Sequence, residues 1–103
     1  MEYSTYNADL IFISDFYSPL NRENQLIEEM AELTQAIMKL RRTDIEQDYK
    51  IWENYLEEIA DVKLCLKVLI MQLSQDAHKY IQKTCERKAK RQVKRIEEKQ
   101  EQC

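Results

Sequence analysis

Apolar positions recur along this chain at helical spacing, in four successive runs. The first, Ala8 to Tyr17, is short and strongly apolar. It predicts a helix of two to three turns closed by Ser18-Pro19, because a residue before proline is pushed out of the α region. The polar and aromatic residues 1–7 ahead of it are expected to fray. A second run, Leu26, Met30, Leu33, Ile37 and Leu40, keeps the three-to-four spacing of one helix face. Asn21 is its expected cap, and Lys39, Arg41 and Arg42 suit its negative C-terminal end. The third run, Ile51, Tyr55, Ile59, Val62, Leu66 and Leu69, continues to about Leu73. Asp44 is the cap expected there, with Glu46 and Asp48 in the first turn. Ser74 and Asp76 then open a last helix over about 76–100, whose weak stripe (Ala77, Tyr80, Ile81, Thr84) fades after Ala89 and leaves 96–103 as a polar end.

Composition sharpens this into a fold class. There is no glycine and one proline, Pro19, in 103 residues, whereas hairpin turns and strand-rich folds lean on glycine. An all-α chain follows, and a glycine-rich phosphate loop is excluded. The length suits one small domain over 1–103, with no repeat or linker. Between Val62 and Leu73 only Lys63, Lys67 and Gln72 are polar. A helix apolar over most of its circumference must be buried on most sides, so a homo-oligomer, dimer or tetramer, is expected around that segment.

Three cysteines (Cys65, Cys85, Cys103) are an odd number at no metal-binding spacing, and no signal peptide is read ahead of them. A reducing cytoplasm is the expected location, with Cys65 as a small core residue. No run approaches the roughly twenty apolar residues that span a bilayer, so no membrane partner is expected. Charge is polarised: residues 1–75 hold 7 basic and 14 acidic side chains, and residues 76–103 hold 9 and 5. The acids interleaved in the basic tail weaken a nucleic-acid reading, and no nucleic-acid partner is expected.

The acids themselves carry the chemistry. Glu28-Glu29-Met30-Ala31-Glu32 and Glu57-Glu58-Ile59-Ala60-Asp61 stand in mirror register. Glu29 with Asp61, and Glu32 with Glu58, both average to position 45. Residues three apart share a helix face, so an antiparallel hairpin turning near Asp44 and Ile45 brings four carboxylates to one level. Four such groups among apolar neighbours repel unless a cation compensates, and oxygen-liganded Mg²⁺ is the expected one, with Mn²⁺ as its substitute. Acidic pairs on helices are usually solvated or paired with Lys at i+4. Here Leu33 and Val62 occupy the i+4 positions of Glu29 and Glu58. Gln25 and Asn54 lie one turn before Glu29 and Glu58, where amides orient carboxylates or water. For an aromatic base slot the candidates are Phe16, Tyr17, Trp52 and Tyr55. Tyr55 is about 60° from Glu58 and Trp52 about 120°, at about 100° per residue, which favours Tyr55.

The ordered pair E-E-x-x-E and E-E-x-x-D on consecutive helices resembles the MazG-type all-α nucleoside triphosphate pyrophosphohydrolases. Asn24 to Leu33 is similar to the first motif helix of that family, and Glu57 to Val62 to its second. Lys88, Arg91, Gln92 and Arg95 are similar to the K-x-x-R-Q-x-x-R run that closes many short members. The likeness covers about 16–98. It implies a MazG-like four-helix bundle that is oligomeric, and hydrolysis of a (d)NTP to (d)NMP and pyrophosphate by a metal-activated water. It implies Glu29, Glu32, Glu58 and Asp61 as Mg²⁺ ligands, Glu28 and Glu57 as water-orienting carboxylates, and Lys88 and Arg91 as phosphate contacts. The nucleotide is left open. A different class of function, a non-catalytic oligomeric helical interaction protein with a basic C-terminal helix, competes with it. Burying four carboxylates brings a scaffold nothing, which favours the enzyme.

Overall fold

The computed structural model describes residues 2–44 and 48–102, with side chains from Thr5 onward. Four helices and no strand occur among the described residues: α1 (Glu2–Phe16), α2 (Pro19–Arg41), α3 (Tyr49–Met71) and α4 (Gln75–Gln102). The chain divides into two compact units, Met1–Gln72 and Leu73–Cys103. In the first, α2 and α1 both pack on α3. The second is α4 alone.

Helix boundaries move where local hydrogen bonding outweighs the apolar pattern. α1 begins at Glu2, ahead of the apolar run, so residues 2–7 are helical rather than frayed. Tyr6, within that extension, lies under the Lys67 ammonium at 5.3 Å, a cation–π contact with α3. α2 is capped by Ser18 and not Asn21: the Ser18 hydroxyl accepts from the Asn21 N–H at 3.2 Å. Pro19 follows at the first helical position, where its missing N–H costs nothing and its fixed φ is already helical. Pro19 thus both ends α1 and starts α2. α3 is capped by Asp48, whose carboxylate accepts from the Lys50 N–H at 3.1 Å. Asp44 therefore lies ahead of the helix, and Ile45 and Glu46 fall outside the described residues. α4 starts as the pattern suggests, with the Ser74 hydroxyl accepting from the Ala77 N–H at 3.1 Å.

α2 and α3, joined by the short segment 42–48 and packed on each other, form an antiparallel hairpin. Ala36 is buried on its inner face, a small side chain that lets the two backbones approach. Leu26, Leu33 and Ile37 of α2 and Val62 and Leu69 of α3 are half-buried. The α1 seam is tighter. Leu10 and Ser14, one turn apart, are buried, as is Val68 of α3. The Ser14 hydroxyl donates to the Val68 carbonyl at 3.3 Å. Asp15 accepts from the Gln72 amide at 2.8 Å.

Arg22 fastens the α1–α2 corner. Its guanidinium donates to the Ser14 carbonyl and, at 2.6 Å, to the Tyr17 carbonyl. These are carbonyls at the end of α1 that lack a helical partner, and a cation there also complements the helix dipole. The segment Val62–Leu73 is only partly covered: Val68 is buried, while Leu64, Leu66 and Leu73 are exposed.

Candidate metal centre

The acid cluster forms where the hairpin brings the mirrored motifs level. Glu29 and Glu32, one turn apart on α2, meet Glu58 of α3, and one carboxylate oxygen of each lies within 4.8 Å of the others. Glu29 and Glu58 are half-buried and Glu32 is exposed. Asp61, on the same face of α3 one turn on, is not a member of this closest group. Its charge nevertheless reaches Glu29 and Glu58.

Two features of the cluster bear on whether it suits an ion. Oε2 of Glu29 and Oε2 of Glu58 are shielded from solvent and have no hydrogen-bond partner among the described residues. Both carboxyls are also held above the ordinary carboxylate range. Loss of hydration is the first cause in each case, followed by the charges of Glu32 and then Asp61. Stranded acceptors with mutually repelling charges are what a divalent cation would satisfy, and an all-oxygen donor set suits hard Mg²⁺ or Mn²⁺. The residues present therefore fit such an ion.

A cavity of about 220 Å³ is lined by Ile13, Tyr17, Arg22, Gln25, Leu64, Cys65 and Val68, with none of the four acids in its wall. Gln25 stands one turn before Glu29, and Cys65 one turn after Asp61, so the cavity and the acids share the α2–α3 groove. The Cys65 thiol is pushed up by burial first, then by the charges of Glu29 and Asp61. A second cavity of about 410 Å³ lies at the α1–α2 corner and includes Asp15, Phe16, Tyr17, Arg22 and Gln72.

The remaining candidates fall into three places. Tyr17 lines both cavities and packs edge-on against Phe16 at 5.0 Å between ring centroids. Phe16 itself is 72% exposed. Tyr55 is half-buried beside Trp52, 5.5 Å between ring centroids, and lines neither cavity. Asn54, Glu28 and Glu57 are exposed, and the charge of Glu57 is felt at Glu58. Lys88 and Arg91 belong to α4 in the second unit and are exposed.

The sequence pattern alone missed Arg22, Ile13, Leu64, Cys65 and Val68 as neighbours of the site. Arg22 carried a signal, a cation six residues past the end of an apolar helix. The others depend on how α1 docks on α3, which periodicity does not report. No helix among the described residues is long and apolar enough to cross a membrane. Comparison with protein-family models, with curated proteins and with solved structures found no match to this chain.

Proposed function

We propose that this chain hydrolyses a (d)NTP between its α and β phosphates in a Mg²⁺-dependent reaction, as the MazG-type resemblance implies. The observation that carries the reading is the convergence of Glu29, Glu32 and Glu58, with two shielded carboxylate oxygens that have no hydrogen-bond partner among the described residues. Glu29, Glu32 and Glu58 would hold the ion, with Asp61 beside them. The bound ion would supply charge neutralisation for the triphosphate and a lowered pKa for water. Mn²⁺ is the expected substitute.

The chain's own residues have distinct tasks in this scheme. Glu57, the exposed neighbour of Glu58, is one candidate to orient water and accept its proton. Glu28 is the other candidate. The 220 Å³ cavity takes the base: Ile13, Leu64 and Val68 give apolar walls, and Gln25 and Tyr17 give polar edges. Sites enclosing a whole drug-sized ligand run to about 300–1,000 Å³. This smaller cavity suits the base alone, with sugar and phosphates in the open groove leading to the acids. Phe16, Tyr55, Asn54, Lys88 and Arg91 stay as candidate contacts on the strength of the sequence pattern.

Self-association belongs to the same proposal. Ile59 and Leu66 of α3, seven residues apart on one helix face, are 38% and 43% exposed, and exposed apolar side chains on one face suit an interaction surface. A homodimer or homotetramer in the cytoplasm is the form we propose.

The test is a panel of NTPs and dNTPs with millimolar Mg²⁺, scored separately for pyrophosphate and orthophosphate. Pyrophosphate from at least one nucleotide, abolished by EDTA, is expected. Orthophosphate alone, or no product from any nucleotide, would refute the hydrolase and leave the helical interaction protein as the better account.

A further inference from the structure

Acids interleave with the cations of α4 along the sequence, but the helix sorts them apart. Between Lys79 and Arg95 stand eight lysines and arginines against Glu86 alone, a net charge of +7. Asp76 lies in the first turn, ahead of that stretch, and Glu97, Glu98 and Glu101 follow it. All eight cations are exposed. Projected down the axis at about 100° per residue, Ile81, Cys85, Ala89, Val93 and Ile96 share an arc of about 120°. No charged residue between Lys79 and Ile96 falls in that arc. Lys83, Arg87, Lys90, Arg91 and Lys94 stand about 120° or more from its centre, and Glu86 stands at its edge, about 80° from the centre. α4 thus carries a continuous basic face opposite a narrow apolar one.

We propose that this basic face of α4 binds the phosphodiester backbone of duplex nucleic acid without reading its bases. The eight cations occupy about 24 Å of helix at about 1.5 Å per residue, or one for about every 3 Å. One strand of a DNA duplex carries a phosphate about every 3.4 Å, so the charge densities match along the face. A single strand fits less well, because its binders stack successive bases on aromatic rings. Tyr80 is the one Phe, Tyr or Trp in α4. A lipid surface also fits less well. Helices that lie on lipid carry Trp, Phe or Leu on the apolar face, and their Lys and Arg reach the headgroups from its flanks. The apolar arc of α4 has nothing larger than two isoleucines and a valine, and five of the eight cations stand on its far side.

Lys88 and Arg91 are candidate phosphate contacts in the hydrolase reading, and the other six cations have no task there. The inference rests on α4 alone and not on that chemistry. The whole chain is at −3, so any binding of a polyanion is assignable to this helix.

The experiment follows the fluorescence anisotropy of a fluorescein-labelled DNA duplex of arbitrary sequence on titration with the full native chain. EDTA is present, so that no divalent ion bridges phosphates to the acid cluster. Saturable binding is expected. Affinity should fall by about 100-fold between about 50 and 150 mM salt, as neutralising about five phosphates requires. The variant Lys83→Gln/Arg87→Gln/Lys90→Gln/Lys94→Gln spares Lys88 and Arg91 and keeps good helix formers at all four positions. It should bind at least about tenfold more weakly at low salt, with a flatter salt slope and unchanged helical circular dichroism. Equal binding by that variant, or no binding by the native chain at about 50 mM salt, would overturn the proposal. Tighter binding to phosphatidylserine–phosphatidylcholine vesicles than to the duplex would give the face to lipid and overturn it as well.

Discussion

Two seams of the first helical unit bury polar atoms, and they treat them in opposite ways. Where α1 meets α3, Ser14 is wholly buried and its hydroxyl is spent on the Val68 carbonyl. Where α2 meets α3, Glu29 and Glu58 each hide an oxygen that has no hydrogen-bond partner among the described residues. A buried neutral hydroxyl with a partner contributes modestly to stability, whereas a stranded carboxylate oxygen costs the hydration it has lost. The first seam is finished by folding. The second leaves two shielded acceptors without a hydrogen-bond partner among the described residues. This contrast distinguishes a structural polar contact from a prospective binding site, although both sit between the same kinds of apolar side chain.

The largest effect expected from breaking the contrast is catalytic. Glu32→Gln or Glu58→Gln should lower turnover by more than about 100-fold, since even partners that only orient ligands cost about 10–100-fold. Circular dichroism should stay helical in both. Near-native turnover in either variant would separate the acids from the reaction. Next in size is the response to the ion. Saturating Mg²⁺ at about 100 times its dissociation constant should stabilise the fold by about 2.7 kcal/mol. A melting curve that ignores millimolar Mg²⁺ would remove the site.

The closed seam predicts a smaller change of a different kind. Ser14→Ala removes one hydrogen bond and should cost about 1 kcal/mol in urea unfolding. It should leave the Mg²⁺ response untouched. A loss of Mg²⁺ binding in that variant would mean that the two seams are not independent.

The pH dependence of the metal-free protein is the finest test. The Glu29 and Glu58 carboxyls are raised above the unfolded value of about 4.3, so the folded state binds more protons than the unfolded state in the interval above that value. Stability is fully present below it and is lost as pH rises through the raised folded values. The metal-free melting temperature should accordingly fall across that interval, and Glu29→Gln with Glu58→Gln should flatten the slope. A slope unchanged by the double substitution would assign the dependence to other groups.

Much of this was legible in the residues, for identifiable reasons. The α2 and α3 stripes mark their helices because an inner face must repeat every three to four positions. The mirror of Glu32 and Glu58 about position 45 works because a short hairpin equates sequence symmetry with spatial level, and Glu29, one turn from Glu32, joins that pair. Caps were less legible. Ser18 displaced Asn21 because Pro19 presets the helical φ, and Asp48 displaced Asp44 because α3 begins later than its charge pattern suggests. The cavity was not legible at all. Ile13, Leu64 and Cys65 meet through the docking of α1 on α3, and α1 is apolar around much of its circumference, so no single face announces the contact. Asp61 shows the limit within the site itself. Its spacing makes it equivalent to Glu32, yet the three closest oxygens come from the other acids.

The central claim is that the α2–α3 seam is completed by a divalent cation held by its own carboxylates. Titration of Mn²⁺ into the metal-free protein, followed by the loss of the free-ion electron paramagnetic resonance signal, tests it most directly. The account predicts saturable binding to the native chain, competed by Mg²⁺, unaltered in Ser14→Ala and abolished in Glu29→Gln/Glu58→Gln. Binding of equal strength in the Glu29→Gln/Glu58→Gln variant, or none in the native chain, would contradict it.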